Sequence, residues 1–105
     1  MRARLVFSKK EVYVDGSVTD IRIWQVPKSV AFPEGIKYAF YFIGPPPECE
    51  VVVGYDNHHG KGHHRHVRNV ESGVTTPSVS ALLRRFRGEV SAELKARGIE
   101  MKGTT

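Results

Sequence analysis

The sequence predicts an α+β fold in a single domain covering residues 1–105, with an antiparallel β-sheet of about five or six strands and a C-terminal α-helix packed on one face. Short runs of β-branched and aromatic residues, separated by turn residues, occupy residues 1–70. The apolar spacing then changes to that of an amphipathic helix over residues 76–98. At 105 residues the chain is long enough for one core and too short for two.

The first two strands are expected to form a hairpin. Residues 5–7 and 12–14 favour extended backbone, and Asp15-Gly16 is a strong turn signal before residues 17–26. In this second arm Ile21 and Ile23 share one face, while Trp24 lies on the other. Pro27 ends the arm, and residues 28–35 are expected to form a loop.

The segment Ile36–Ile43 is apolar almost throughout and predicts a central strand with core residues on both faces. Three prolines after Gly44 end it, because proline has no N–H to donate to a neighbouring strand. Residues 50–55 are the next strand, residues 64–70 return antiparallel to it, and residues 71–76 are expected to form a loop. The helix is predicted from its apolar positions: Val79, Leu82, Leu83, Phe86, Val90 and Leu94.

The formal net charge of +5 favours a polyanionic partner. Nucleic acid is the first to consider, although an acidic protein or an anionic membrane surface would also satisfy the charge. No apolar run has the length of a signal peptide or membrane span, so we expect a cytoplasmic protein without membrane attachment. Cys49 is the single cysteine, which excludes an intrachain disulfide and a pair of thiolate zinc ligands.

All five histidines lie in one segment, YDNHHGKGHHRHV, which runs from Tyr55 to Val67. The glycines around Lys61 predict a turn, so that the segment occupies the end of a hairpin. A spacing of two places His64 and His66 on one face of the returning strand, with His63 and Arg65 on the other.

Three interpretations of this segment remain open. The histidines can be incidental members of a solvated loop. They can bind a transition metal through His64, His66 and a histidine across the turn, although Lys61 and Arg65 place positive charge there. They can also act on the phosphodiester bonds of RNA, where histidine supplies both base and acid and cations stabilise the phosphate oxygens. A module that binds nucleic acid without turnover would use the same residue types, and no cofactor is expected.

In the RNA interpretation His64 and His66 transfer protons, Lys61 and Arg65 bind the phosphate, and Asp56 orients an imidazole. Trp24 can stack on a base, although packing is the commoner role of a half-buried tryptophan on a strand. Other expected nucleic-acid contacts are Tyr55, Asn57, Arg84, Arg85 and Arg87.

The same segment resembles the TumE family, small prokaryotic toxins of type II toxin–antitoxin pairs. The resemblance rests on Tyr55-Asp56-Asn57, Gly60-Lys61-Gly62 and His64-Arg65-His66, together with Asp15-Gly16 and Trp24-Gln25-Val26-Pro27.

This resemblance implies a growth-inhibiting cytoplasmic protein neutralised by a cognate antitoxin, often a helix-turn-helix DNA-binding protein. It carries no established reaction, so endoribonuclease activity is an inference from the residues, and a homodimer is left open. The site residues that it implies are Asp56, Asn57, Lys61, His64, Arg65 and His66.

Overall fold

The computed structural model describes residues 3–58 and 62–99, which form a six-stranded antiparallel sheet and one helix. The strands lie side by side in chain order, so each connection joins neighbours. The predicted α+β fold is confirmed. The elements are β1 Arg4–Val12, β2 Val18–Gln25, β3 Ile36–Ile43, β4 Val51–Asp56, β5 His63–Val67, β6 Val70–Val74 and α1 Val79–Ala96.

The predicted turn at Asp15-Gly16 joins β1 to β2. Gly16 has a φ of +90°, a conformation that glycine adopts without a steric penalty. The carboxylate of Asp15 accepts a hydrogen bond of 2.8 Å from the main-chain N–H of Ser17. The register then pairs Val12 with Val18, which confirms the hairpin.

The chain after β5 differs from the prediction of a loop over residues 71–76. Arg68 and Asn69 have φ values of +45° and +75°, and they form a tight turn between β5 and a sixth strand, β6. The loop prediction is therefore wrong for residues 71–74. The turn was missed because it contains no glycine, and an arginine in a left-handed conformation gives no sequence signal.

The helix α1 is shorter than the predicted span 76–98. Its N-terminal cap is Ser78, whose hydroxyl accepts a hydrogen bond of 3.1 Å from the main-chain N–H of Ala81. Gly98, with a φ of +71°, follows its C-terminal end. Within the described ranges no helix has both the length and the apolar character needed to cross a membrane.

The core lies between α1 and the central strands β3 and β4. Phe86 is fully buried, with its ring centroid 5.8 Å from that of Phe40 and 6.3 Å from that of Tyr55. Side chains alternate along a strand, so the neighbours of Phe40 and Tyr55 point away from the helix. We call the surface that they occupy the open face, and the surface under α1 the helix side. Tyr41 lies on the open face and is half-buried, unlike the fully buried Phe40.

Candidate active site

A cluster of three polar side chains lies on the open face, across the middle of the sheet. The register places Tyr41 beside Gly54, and Gly54 beside His66, in one row across β3, β4 and β5. Asp56 lies two residues further along β4 on the same face. Its Oδ2 atom accepts a hydrogen bond from the Tyr41 hydroxyl and lies 3.0 Å from Nε2 of His66. One carboxylate thus holds both a phenol and an imidazole.

Gly54 makes this arrangement possible. A Cβ atom built at this position would lie 2.3 Å from Cδ1 of Tyr41 and 2.4 Å from its Cε1. Contacts this short do not occur between real atoms, so a side chain at position 54 would displace the ring. The missing side chain lets Tyr41 lie across β4 and reach Asp56.

The electrostatics of the cluster keep Asp56 ionised and Tyr41 protonated. Burial acts to raise the pKa of Asp56, but hydrogen bonds and charge from Tyr41, His66 and the main-chain N–H of His58 outweigh it, and the pKa is lowered. Burial raises the pKa of Tyr41, and its hydrogen bond to Asp56 raises it further. At neutral pH the hydroxyl of Tyr41 therefore donates a hydrogen bond to the ionised carboxylate of Asp56.

The ionised carboxylate fixes the orientation and tautomer of His66. Because the ionised Asp56 can only accept hydrogen bonds, Nε2 of His66 carries a hydrogen atom and donates the hydrogen bond between them. Whenever the imidazole of His66 is neutral, its other ring nitrogen bears a lone pair. The side chain of His66 is 25% exposed, compared with 11% for that of Asp56. The arrangement suits a general base whose buried partner holds it in place.

His64 lies beside this cluster on the open face, as the two-residue spacing predicts. Its main chain pairs with Asp56, but its Nδ1 atom lies 3.5 Å from a carboxylate oxygen of Glu71 on β6. The Cα atoms of His64 and His66 are about 6.6 Å apart along β5, by the usual rise of two residues in a strand. Each imidazole therefore has its own carboxylate partner.

Arg65 does not share this face. Its side chain lies on the helix side, where it donates a hydrogen bond of 2.6 Å to Glu89 of α1 and one of 3.0 Å to the hydroxyl of Tyr55. Tyr55 is fully buried and donates to the other oxygen of Glu89. The hydrogen bond to Glu89 is the main cause of a raised pKa at Arg65. This group ties β5 to the helix, on the opposite side of the sheet from His66.

The side chain of Asn57 forms hydrogen bonds with the main chain of β3. Its Oδ1 accepts a hydrogen bond of 2.9 Å from the N–H of Tyr38, and its Nδ2 donates one of 2.9 Å to the carbonyl of Ile36. The side chain is buried, and it continues the β3–β4 pairing beyond Asp56. Asn57 is thus placed to fix the position of Asp56.

The other predicted site residues that the structure describes lie apart from the cluster. Lys61 lies outside the described residues. Among residues 3–58 and 62–99, no group of three or more histidine, cysteine, aspartate or glutamate side chains is arranged to hold a metal ion. His63 is on the helix side, with its Nδ1 atom 2.8 Å from the hydroxyl of Tyr38. Three arginines of α1 that are expected to contact nucleic acid are exposed, and they lie across the sheet from His66: Arg84, Arg85 and Arg87.

Comparison with known proteins identifies the family. A family model described as Toxin TumE matches residues 2–94 of the 105-residue chain. The chain belongs to the TumE toxin family. The matched range contains all six described strands and most of α1. No curated protein and no solved structure matches the chain. Membership of the TumE family implies a toxin of a toxin–antitoxin system, with a cognate antitoxin as its partner.

Two residues of the cluster are not among the site residues that the sequence predicts. The sequence predicts Tyr41 as part of the core, and it predicts Gly54 only as a residue of a strand. The two meet only because β3 and β4 pair in a particular register. The glycine that follows three valines in β4 is the signal that could have indicated the close approach of another side chain to the main chain at this position.

Replacing Gly54 with alanine is expected to lower the activity of the toxin by about 10- to 100-fold, because the displaced Tyr41 ring moves Asp56 and His66 out of position. The measurement is the rate of RNA cleavage proposed below. Gly73→Ala is the matched control on the open face of β6, since no described atom would lie within 4 Å of its Cβ. Equal activity of the two variants would show that the position of Tyr41 is unimportant.

The lowered pKa of Asp56 also predicts how stability depends on pH. A carboxyl group with a lower pKa in the folded chain stabilises the fold above its unfolded pKa of about 3.9, and the contribution disappears as pH falls through the folded pKa. We expect the difference in unfolding free energy between wild type and Asp56→Asn to shrink as the pH falls from neutral to below about 4. Urea unfolding at several pH values measures it. A difference that stays constant would exclude this linkage.

Proposed function

We propose that this toxin cleaves RNA without a metal ion, using the open-face cluster. The observation that carries the proposal is the contact of 3.0 Å between Asp56 and His66, next to a second imidazole, His64, on the same face. Phosphodiester transfer requires two proton-transfer groups, a base and an acid. The imidazole held by Asp56 would be the base, and the second imidazole would be the acid.

In the proposed reaction His66 removes the proton from a ribose 2′-hydroxyl, and the 2′-oxygen attacks the adjacent phosphorus. The bond from phosphorus to the 5′-oxygen breaks, and protonated His64 gives its proton to that oxygen. The products are a 2′,3′-cyclic phosphate and a 5′-hydroxyl. Lys61 is the proposed cation for the charged phosphate oxygens. Arg65 is not assigned this role, because its side chain is bound to Glu89 across the sheet.

The test is incubation of the purified wild-type protein with total cellular RNA in the presence of EDTA. Cleavage that leaves cyclic phosphate and 5′-hydroxyl ends is the expected result. Cleavage that stops with EDTA would replace the proposal with a metal-dependent reaction. RNA that stays intact but migrates more slowly in a gel would favour the alternative, a module that binds nucleic acid without turnover.

The exposed arginines of α1 are proposed as a separate contact surface for RNA. Arg84, Arg85 and Arg87 lie on the helix side, so they would bind a part of the RNA other than the phosphate at His66. Their contribution would be electrostatic, and it would therefore weaken as the salt concentration rises.

The proposed protein partner is a helix-turn-helix antitoxin encoded beside the toxin. The edge strand β1 is exposed along its whole length, with Leu5, Val6 and Phe7 each at least 41% exposed. Exposed apolar edges of this kind pair readily with a strand of another chain. A homodimer would use the same edge. Measurement of the molar mass in solution, with and without the antitoxin, distinguishes a homodimer from a toxin–antitoxin complex.

A further inference from the structure

A second feature of the open face lies beside the proposed catalytic cluster. Trp24 on β2 pairs with Lys37 on β3, and both side chains project from this face. The Nζ atom of Lys37 lies above the indole, 6.0 Å from its centroid. The ring of His58 packs edge-on against the indole, at a centroid distance of 5.5 Å. A half-buried indole, packed against the ring of His58, thus lies next to a cation.

Among the described residues, no carboxylate is paired with the charge of Lys37. Neighbouring cations such as Arg22 form ion pairs, but in the part of the chain that the structure describes Lys37 forms none. Its ammonium group is therefore able to bind an anion beside the indole. The net charge of +5 favours anionic ligands over the molecule as a whole.

The distance from Trp24 to the cluster suits a bound nucleic acid strand. Lys37 precedes Ala39 by two residues on β3, and Ala39 pairs with Asp56. With the usual strand spacing and rise per residue, the Cα atoms of Trp24 and Asp56 are about 12 Å apart on the same face. A short stretch of extended single strand covers such a distance, so one chain can contact both places.

We propose that Trp24 and Lys37 form a subsite for an unpaired base of a single-stranded RNA. The base stacks on the indole, and Lys37 binds the phosphate beside it. The identification of this ligand as the substrate rests on the function proposed above. In a duplex the faces of the bases are covered by their neighbours, whereas an unpaired base exposes a face that an aromatic ring on an open sheet can stack against. The subsite therefore selects single strands over duplexes.

Tryptophan fluorescence gives a direct test, because Trp24 is the single tryptophan of the chain. The probes are short 2′-O-methyl oligonucleotides, which bind as RNA does but cannot be cleaved through the 2′-oxygen. We expect a single-stranded adenosine or uridine oligomer to quench the fluorescence of the wild-type protein in a saturable way. A duplex of the same length and an abasic oligomer are expected to leave it nearly unchanged.

Variants then measure the stacking contribution by the anisotropy of a labelled oligomer. Trp24→Leu is expected to bind roughly 5- to 100-fold more weakly than wild type, and Trp24→Phe to lie between them. Val14→Ala, which changes a highly exposed residue between β1 and β2, is the control expected to bind normally. Binding without quenching, equal affinity of Trp24→Leu and wild type, or no binding of single strands would each overturn the subsite.

The two proposals fail in different ways. The subsite would be retained and catalysis removed if oligomers quench the wild-type fluorescence and bind Trp24→Leu more weakly, while RNA stays intact. RNA cleavage by a protein whose Trp24 does not respond to any oligomer would retain catalysis and remove the subsite. Quenching by the antitoxin but by no oligonucleotide would assign the Trp24 surface to the protein partner, and it would also overturn the subsite.

Discussion

His66→Ala is expected to lower the rate of RNA cleavage by about 10²- to 10⁴-fold, the usual contribution of a positioned general base. The loss follows from the geometry, since His66 is the imidazole that Asp56 holds at 3.0 Å, with its other ring nitrogen turned away from that carboxylate. The initial rate on a defined RNA, measured with purified protein in EDTA, gives the ratio.

The matched control is His63→Gln, which changes a histidine of the same strand that lies on the helix side. Glutamine keeps a polar group able to bond with the hydroxyl of Tyr38, so folding should be preserved. This variant is expected to cleave at nearly the wild-type rate. Equal rates for His66→Ala and wild type, with both proteins folded, would contradict the role given to His66.

The second large effect concerns stability. Phe86→Ala is expected to lower the free energy of unfolding by about 3–5 kcal/mol, because it leaves a cavity between α1 and the sheet. Phe86 is fully buried, and its ring meets those of Phe40 and Tyr55. Urea unfolding followed by circular dichroism measures the change.

Ser91→Ala is the control for this experiment, because Ser91 is exposed on the same helix and is expected to change the unfolding free energy by no more than about 0.5 kcal/mol. A Phe86→Ala variant as stable as this control would mean that α1 does not pack on β3 and β4 as described. A strongly destabilised variant would support the helix as the cover of the core.

The fold could be predicted from local patterns because nearly every contact that defines it is local. Each strand pairs with the next one in the chain, so the Asp15-Gly16 turn and the apolar segments were sufficient to order the sheet. The helix was recognised from the spacing of Leu82, Phe86 and Val90. The strand β6 was missed because its turn depends on Arg68, whose left-handed backbone has no signal in the sequence.

The candidate site was only partly predictable. The spacing of His64 and His66 is enough to place them on one face, because side-chain alternation along a strand is a property of the backbone. The contact of Tyr41 with Asp56 depends on the pairing of β3 with β4, and the contact of Arg65 with Glu89 depends on where the helix packs. Neither contact can be predicted from the sequence near the two residues. Arg65 was expected to bind the phosphate because of its positive charge alone.

The most direct test of the open face as the toxic site is growth after induced expression in cells that lack the antitoxin gene. Wild type and His63→Gln are predicted to stop growth, whereas His66→Ala at the same protein level is predicted to let growth continue. Growth arrest by His66→Ala equal to that by wild type would contradict the account.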